Sequence, residues 1–235
     1  MLIFAHRGVH NRGVSENTLE AFEEGIRQGA DGIEFDLRVS KDGELVVVHD
    51  VNLHRVAGDA HRVNELTLKE LQSLTLRQGG TIPSLQDVTS RIHAPAMLDM
   101  ELKHLTAVEP LLRKLKTSAV LRERTIVSSF QSAILEQFHR EVPDVRRLFL
   151  IRHWPFPFRG AAFRRKIERL EPWAIAARLF LLTRRRVRYL RSLGVLVGAW
   201  DVRRTAREAR AARRIGVDIA IVKHVREARI PQITP

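Results

Sequence analysis

Short apolar runs alternate with helix-patterned segments along the 235 residues of the chain. Runs rich in Ile, Leu and Val predict strands, whereas apolar residues recurring every three or four positions predict helices. The predicted strands are 2–5, 31–38, 45–48, 96–102, 124–128, 146–151, 173–177, 194–200 and 217–222. The predicted helices are 17–28, 67–75, 84–92, 106–118, 131–140, 161–170, 183–192 and 203–214.

This alternation favours a parallel sheet, because a helix-sized crossover is what joins two parallel strands. About eight strand–helix units in a chain of this length fit a closed TIM (β/α)8 barrel better than an open sheet. We therefore predict an α/β protein whose single domain spans residues 1–235. The polar segment 52–83 has little strand pattern, and we predict that it is an insertion, with a short helix inside, after the strand that ends at His49.

Polar residues directly before the helical patterns predict where three helices begin. Ser15 is the predicted cap of helix 17–28. Thr67 and Glu70 form the pattern of a capping box. Ser84 is predicted to cap the following helix in the same way.

Composition narrows the class of protein. The sequence has no apolar run of about 18 residues, which argues against a membrane span, and it has no cysteine, which excludes disulfides and thiolate metal sites. The strand pattern begins at Leu2, which leaves no room for a signal peptide before it. We expect an intracellular, cytoplasmic protein.

The net charge of +13 is unevenly distributed. Residues 1–105 hold 11 lysines and arginines against 16 acidic residues, whereas residues 106–235 hold 29 against 11. We expect mainly solvated basic helix faces, because the cations are scattered over several helices. Peripheral contact with an anionic membrane is the functional alternative; nucleic-acid binding is disfavoured because it depends on charge alone.

Three carboxylates occupy strand positions that suit a metal. Glu34 and Asp36 are two residues apart, so in a strand they point the same way with about 6.6 Å between their Cα atoms. They interrupt an apolar run, where uncompensated charge is costly. Glu101, on another predicted strand, is the third candidate ligand. An all-oxygen set suits Mg²⁺ or Ca²⁺, with Mn²⁺ as an alternative, and does not suit Zn²⁺.

Imidazoles and cations lie at the same predicted strand ends. His6 and His49 titrate near neutral pH, so one can act as a general base and the other as a general acid. Arg7 and Lys103 are candidates for binding phosphate oxygens. In the first loop after a strand, Glu16 and Asn17 are expected to hold the site and to orient His6 or the substrate. Together these groups are what a metal-assisted phosphodiesterase requires.

At this point the sequence resembles the glycerophosphodiester phosphodiesterases. The most specific matching segments are His6-Arg7-Gly8, Ser15-Glu16-Asn17-Thr18, Gly32-Ile33-Glu34-Phe35-Asp36-Leu37, Lys41-Asp42-Gly43 and Val47-Val48-His49-Asp50. The likeness continues through Leu53…Arg55, Ile82-Pro83-Ser84-Leu85, Glu101-Leu102-Lys103, Ser128-Ser129-Phe130, Gly198-Ala199-Trp200 and Gly216-Val217-Asp218. It covers nearly the whole chain.

The resemblance implies a TIM barrel that hydrolyses glycerophosphodiesters to an alcohol and glycerol 3-phosphate. It implies a divalent cation held by Glu34, Asp36 and Glu101. By the same analogy His6 and His49 perform the acid–base chemistry, Arg7 and Lys103 grip phosphate, and Phe130 and Trp200 shape the pocket. The attacking group is left open between water and the neighbouring glycerol hydroxyl.

The late strands depart from the pattern of the family. Residues 200–203 read Trp-Asp-Val-Arg where members usually have Trp-Thr-Val-Asn, and residues 223–226 read Lys-His-Val-Arg where they usually have Thr-Asp-x-Pro. Two alternatives therefore stay open: a phospholipase D-like enzyme acting on lysophospholipids, or a non-catalytic barrel that binds phosphate or lipid. The presence of both histidines and all three carboxylates argues against the second.

An aromatic segment at 153–159 follows the predicted strand 146–151. Barrel geometry places it on the rim where the candidate residues meet. Its tryptophan and phenylalanines are predicted either to form a lid that contacts lipid, or to pack onto the next helix.

Overall fold

Eight parallel strands close into a barrel in a computed structural model that describes residues 1–154, 160–202 and 206–229. The strands are β1 (Leu2–His6), β2 (Gly32–Val39), β3 (Leu45–Val47), β4 (Met97–Leu102), β5 (Thr125–Ser129), β6 (Arg146–Ile151), β7 (Ala174–Arg178), β8 (Leu196–Val202) and β9 (Ile219–Val222). The α-helices are α1 (Leu19–Arg27), α2 (His54–Ala57), α3 (Leu68–Ser73), α4 (Leu85–Arg91), α5 (Val108–Thr117), α6 (Ala119–Arg124), α7 (Ser132–Glu141), α8 (Ala161–Leu170), α9 (Arg184–Arg191), α10 (Ala206–Ile215) and α11 (Val225–Arg229).

Closure of the sheet is visible at β1, which pairs in parallel with β9 on one side and with β2 on the other. The order around the barrel is β1, β9, β8, β7, β6, β5, β4 and β2. Each parallel connection contains at least one helix, as parallel pairing requires. The predicted TIM barrel is therefore confirmed.

Strand β3 differs from the parallel alternation that the sequence pattern indicated. It runs antiparallel to β2, with Leu37 opposite Val47. The connection from residue 40 to residue 44 is too short for a crossover, so the chain turns back as a hairpin. Because β1 pairs only with the first part of β2, β3 takes the place beside the rest of it.

The apolar core has three parts. The largest part fills the layer between the sheet and the outer helices and includes Phe22, Phe35 and Phe138. A second cluster, which includes Phe4, fills the inside of the barrel. The third lies under the insertion at 52–83. Both faces of the barrel strands are thus buried, as in parallel sheets generally.

The segment 52–83, predicted to be an insertion, lies between β3 and α4. It contains α2, a 3₁₀ turn at Val63–Glu65 and α3. Its apolar residues form their own small cluster with Val46 and Val48, separate from the barrel core. The segment therefore extends one side of the barrel mouth next to His49.

Helix starts agree with the sequence at two of three positions. Capping boxes begin α3 at Thr67 and α4 at Ser84. The predicted cap of the first helix was wrong: Thr18, not Ser15, accepts the Ala21 amide, and Ser15 instead offers its carbonyl to the Thr18 hydroxyl. The hydrophobic pattern also did not predict α2, α6 and α11, because short helices give little periodicity.

None of the described helices combines the length and the hydrophobicity that crossing a bilayer demands. The basic residues of α9 and α10 lie on helices outside the barrel, as expected. The expected cytoplasmic location and the membrane-surface contact both stay predictions.

Gly8 fixes how closely β1 and α1 approach each other. Its φ is +74°, and a Cβ there would lie 2.5 Å from the backbone C and O atoms of Ala21. We expect Gly8→Ala to lower the free energy of unfolding by about 3 kcal/mol, since backbone has to move. Gly43 is a matched control: its φ is +85° but nothing lies within 4 Å of the place that a Cβ would take, so Gly43→Ala is expected to cost about 1 kcal/mol. Urea unfolding measures both, and equal losses would contradict the prediction.

Candidate active site

Three buried carboxylates meet at one end of the barrel. Glu34 and Asp36 alternate along β2, and Glu101 lies on β4 directly opposite Asp36 in the parallel register. One carboxylate oxygen from each of the three lies within 4.8 Å of the others. The strand period of two and the pairing of β2 with β4 therefore produce the predicted cluster.

The charges of this cluster are strongly interdependent. Burial raises the pKa of Glu34, and the charges of Asp36 and Glu101 raise it further. Burial and the charge of Asp36 also raise the pKa of Glu101. Burial opposes ionisation of Asp36 as well, but the charges of Lys103 and Arg7 outweigh it and hold its pKa below the usual range. The cluster thus holds more negative charge than its surroundings compensate.

The two predicted phosphate-binding cations lie against these carboxylates. Lys103 Nζ is 2.9 Å from Asp36 Oδ1 and 2.5 Å from Glu101 Oε1. Arg7 Nε is 3.1 Å from Asp36 Oδ2. The ammonium group of Lys103 thus bridges two of the three carboxylates. Hard carboxylate oxygens that gather around a positive charge fit a divalent cation such as Mg²⁺ or Ca²⁺.

His6 ends β1 beside this cluster. In the register of β1 with β2 it lies opposite Glu34, and its Nε2 is 3.9 Å from Glu34 Oε2. Burial lowers the pKa of His6, and the charge of Arg7 lowers it further. The side chain is still 27% exposed, which leaves it accessible to a ligand from the barrel mouth.

His49 reaches the cluster from the end of β3, which borders the same edge of β2 as β1 does. It follows the antiparallel β3, and the Val48 amide donates to the Asp36 carbonyl, which brings the chain back to the level of the carboxylates. The imidazole Nδ1 lies 2.6 Å from Asp50 Oδ1. Burial lowers the pKa of His49, although the charge of Asp36 and the hydrogen bond to Asp50 act in the opposite direction.

Asp50 and Arg55 are positioning residues that the sequence analysis did not single out. Arg55 Nε donates to Asp50 Oδ2 at 2.5 Å, and Arg55 Nη2 donates to Glu16 Oε1 at 2.6 Å. Glu16 also accepts from Arg7 Nη1 at 2.9 Å. This chain of ion pairs joins His49 to Arg7. In the sequence Asp50 and Arg55 both lie within segments that match the family, but nothing local to them indicates that they pair with each other.

Asn17 and Glu16, two predicted site residues, contact the side chains of other site residues. Asn17 has a φ of +60°, and its Nδ2 donates to Asp36 Oδ2 at 3.0 Å. Glu16 lies between Arg7 and Arg55. In this structure both residues hold site residues in place, and the hydrogen bonds of their side chains go to Asp36, Arg7 and Arg55 instead of His6.

Eight of the predicted site residues line one cavity of about 200 Å³, whereas Glu16, Asn17 and Asp36 do not. Its lining includes His6, Arg7, Glu34, His49, Glu101, Lys103, Phe130 and Trp200, which were predicted, and Arg152, Arg178 and Asp201. The rings of Phe130 and Trp200 meet edge to face with 5.5 Å between their centroids. The strand ends of β1, β2, β4, β5 and β8 thus supply one pocket.

Residues 6–227 match the model of the glycerophosphoryl diester phosphodiesterase family. The chain belongs to this family. It is 34% identical over 156 residues to a glycerophosphodiester phosphodiesterase of Bacillus altitudinis, a match that spans 61% of this chain and 63% of that relative. It is 30% identical over 179 residues to one of Caldanaerobacter subterraneus subsp. tengcongensis, spanning 69% of this chain and 73% of the relative.

The fold comparison agrees with the family. The crystal structure of the glycerophosphodiester phosphodiesterase of Thermotoga maritima superposes with a TM-score of 0.80 at 28% identity and covers 96% of each chain. The family resemblance, the TIM barrel and the assignment to a phosphodiesterase family are therefore confirmed.

Only part of the aromatic loop can be compared with its prediction. Residues 155–159 lie outside the described residues. Trp154 is half-buried and packs against the apolar layer outside the barrel, with the guanidinium of Arg186 4.6 Å from its ring centroid. Trp154 thus contacts α9, and this contact tests neither predicted arrangement, the lid or packing onto the next helix.

Proposed function

We propose that this protein hydrolyses glycerophosphodiesters to an alcohol and glycerol 3-phosphate with the help of one divalent cation. The observation that supports this most directly is the pocket itself, where three clustered carboxylates lie beside His6 and His49. The relatives described above are named for the same substrate class. A purely binding role would not require both imidazoles.

The carboxylates of Glu34, Asp36 and Glu101 would hold the cation, with Mg²⁺ or Ca²⁺ favoured and Mn²⁺ as an alternative. Bound there, it would offset the negative charge that develops on the phosphoryl oxygens. Lys103 and Arg7 border the same oxygens, so their donors that face the pocket are available to the phosphate.

Both imidazoles line the pocket together with the carboxylates of Glu34 and Glu101. We assign His6 as the base that accepts the proton of the attacking hydroxyl, which belongs to water or to the neighbouring glycerol carbon. His49, whose Nδ1 is held by Asp50, is assigned to protonate the departing alcohol oxygen. A bond forms from the attacking oxygen to phosphorus and the bond to the alcohol oxygen breaks. When the glycerol hydroxyl attacks, this step forms a cyclic phosphate, which water opens in a second step. On either route one water is consumed overall, and glycerol 3-phosphate and the alcohol are released.

A product assay with the purified protein tests this function. Glycerophosphoglycerol and a lysophospholipid are offered separately, with Mg²⁺, with Ca²⁺ and with a chelator, and the phosphate-bearing product is identified. We expect glycerol 3-phosphate from the first substrate, formed only with metal. Release of lysophosphatidate alone would favour the phospholipase D-like alternative, and no product from either would overturn the proposal.

A further inference from the structure

Two arginines cover the aromatic rings of the pocket. The Arg152 guanidinium carbon is 4.4 Å from the centroid of Phe130, and that of Arg178 is 5.0 Å from the centroid of Trp200. Aromatic rings at these positions would suit a quaternary ammonium group such as choline, which binds to ring faces by cation–π attraction. Here that attraction is already satisfied by guanidinium groups of the protein, which would also repel a second cation.

The side chain of Arg178 is 43% exposed, which leaves part of it accessible to a ligand. Its Nε is buried and has no hydrogen-bond partner within the part of the chain that the structure describes. The carboxylate of Asp201 lies 3.9 Å from this atom, which is beyond hydrogen-bond distance. The Trp200 ring beneath it is fixed, because its Nε1 donates to the Ile151 carbonyl at 3.3 Å. A guanidinium held in this way is suited to bind an oxyanion with paired donors.

Beside the pocket lies a second cavity of about 450 Å³ that has room for more of a substrate. The two cavities share Glu101, Lys103, Phe130, Leu150 and Arg152 in their linings. His153 also lines the second cavity. The arm of a diester that leaves the carboxylate cluster in this direction therefore passes the basic side chains of Lys103 and Arg152 as well as the Glu101 carboxylate.

We propose that the part of the pocket lined by Arg152 and Arg178 binds a phosphate or carboxylate group on the alcohol arm of the substrate. It would thereby select glycerophosphodiesters with an anionic arm over those with a cationic arm. The proposal rests on the phosphodiesterase function proposed above. It assigns specificity to two residues from the ends of β6 and β7, neither of which belongs to the carboxylate cluster or the imidazole pair.

Four substrates with graded charge on the alcohol test the proposal: glycerophosphocholine, glycerophosphoglycerol, its glycerate analogue and its terminally phosphorylated analogue. We expect kcat/KM of the wild type to rise in that order. Arg152→Gln and Arg178→Gln are each expected to lower kcat/KM by roughly tenfold to a hundredfold for the two anionic substrates, and by less than about threefold for glycerophosphoglycerol. Arg185→Gln, on the exposed face of α9, is the matched control and should leave all four values unchanged.

The outcomes separate the two proposals. If glycerophosphoglycerol is not hydrolysed at all, the phosphodiesterase function fails, whatever the arginines do. If it is hydrolysed but both arginine variants lose activity equally on all four substrates, the arginines contact the part common to them and the charge selection is wrong. A wild-type preference for glycerophosphocholine over the phosphorylated substrate would also overturn it. Binding of the phosphorylated substrate to His49→Ala, measured by calorimetry, gives an independent readout and should weaken when Arg178→Gln is added.

Discussion

Replacing either His6 or His49 by alanine is expected to lower kcat for glycerophosphodiesters by about 10²- to 10⁴-fold. Both imidazoles line the pocket next to the carboxylate cluster, and nothing else in that lining titrates as an imidazole does. Because the two side chains are partly exposed, their truncation removes little packing. The fold and the affinity for glycerol 3-phosphate should therefore persist, as measured by thermal unfolding and by calorimetry.

The double variant and a control sharpen this test. If the two histidines act in the same proton-transfer sequence, the double variant should lose little more activity than the worse single variant. His93→Ala is the matched control, since His93 is exposed and precedes β4 at the opposite end of the strand from Glu101. Turnover within about threefold of wild type in either pocket variant would remove that histidine from the acid–base assignment.

The carboxylate cluster could be predicted from local pattern alone. Glu34 and Asp36 interrupt an apolar strand at a spacing of two. In a strand, residues two apart point their side chains to the same face. Glu101 follows from the same alternation on β4. The pairing that places Glu101 opposite Asp36 joins two neighbouring parallel strands, and the alternation of strands and helices had already indicated a parallel sheet.

The surroundings of His49 could not be predicted in the same way. The sequence pattern indicated that its strand is one more member of a parallel sheet, whereas a five-residue connection forces the antiparallel β3. The ion pairs from Asp50 through Arg55 to Glu16 then depend on how the insertion packs. Such contacts join residues far apart in sequence, and no local periodicity encodes them.

Arg152 and Arg178 could not be predicted from the sequence for a different reason. In the sequence they are two arginines among many in a strongly basic half of the chain. Only the folded sheet, in which β5, β6, β7 and β8 are consecutive neighbours, places each guanidinium over a ring. The departures at the late strands indicated that specificity would differ there, and the structure adds which side chains face the pocket.

Removal of the divalent cation is expected to abolish turnover and to lower the melting temperature of the wild type. In the absence of the cation, Glu34→Gln should raise the melting temperature again. Lys103 bridges Asp36 and Glu101, whereas the Glu34 carboxylate accepts from the Arg7 amide at 3.2 Å and lies near His6. Glutamine keeps the shape of Glu34 but removes one negative charge from a buried site, where uncompensated charge is destabilising.

Two melting curves for each protein, with chelator and with Mg²⁺ or Ca²⁺, measure this prediction. With chelator, Glu34→Gln should melt a few degrees above wild type, because a loss of about 1 kcal/mol of repulsion corresponds to such a shift. With metal, the order should invert, and the metal Kd of the variant should be at least about tenfold weaker since one ligand charge is lost. Glu109→Gln, at an exposed position of α5, is the control and should change neither curve.

The decisive feature is that the order of the two melting temperatures inverts between chelator and metal, because a glutamate with only a structural role cannot cause this inversion. A buried residue that only packs would make the glutamine variant equally stable or equally unstable in both conditions. A carboxylate that binds a cation costs stability without the cation and contributes stability with it, since its ionisation is uncompensated in one state and compensated in the other. Identical shifts with and without metal would therefore exclude Glu34 as a ligand, and with it the cation site between β2 and β4.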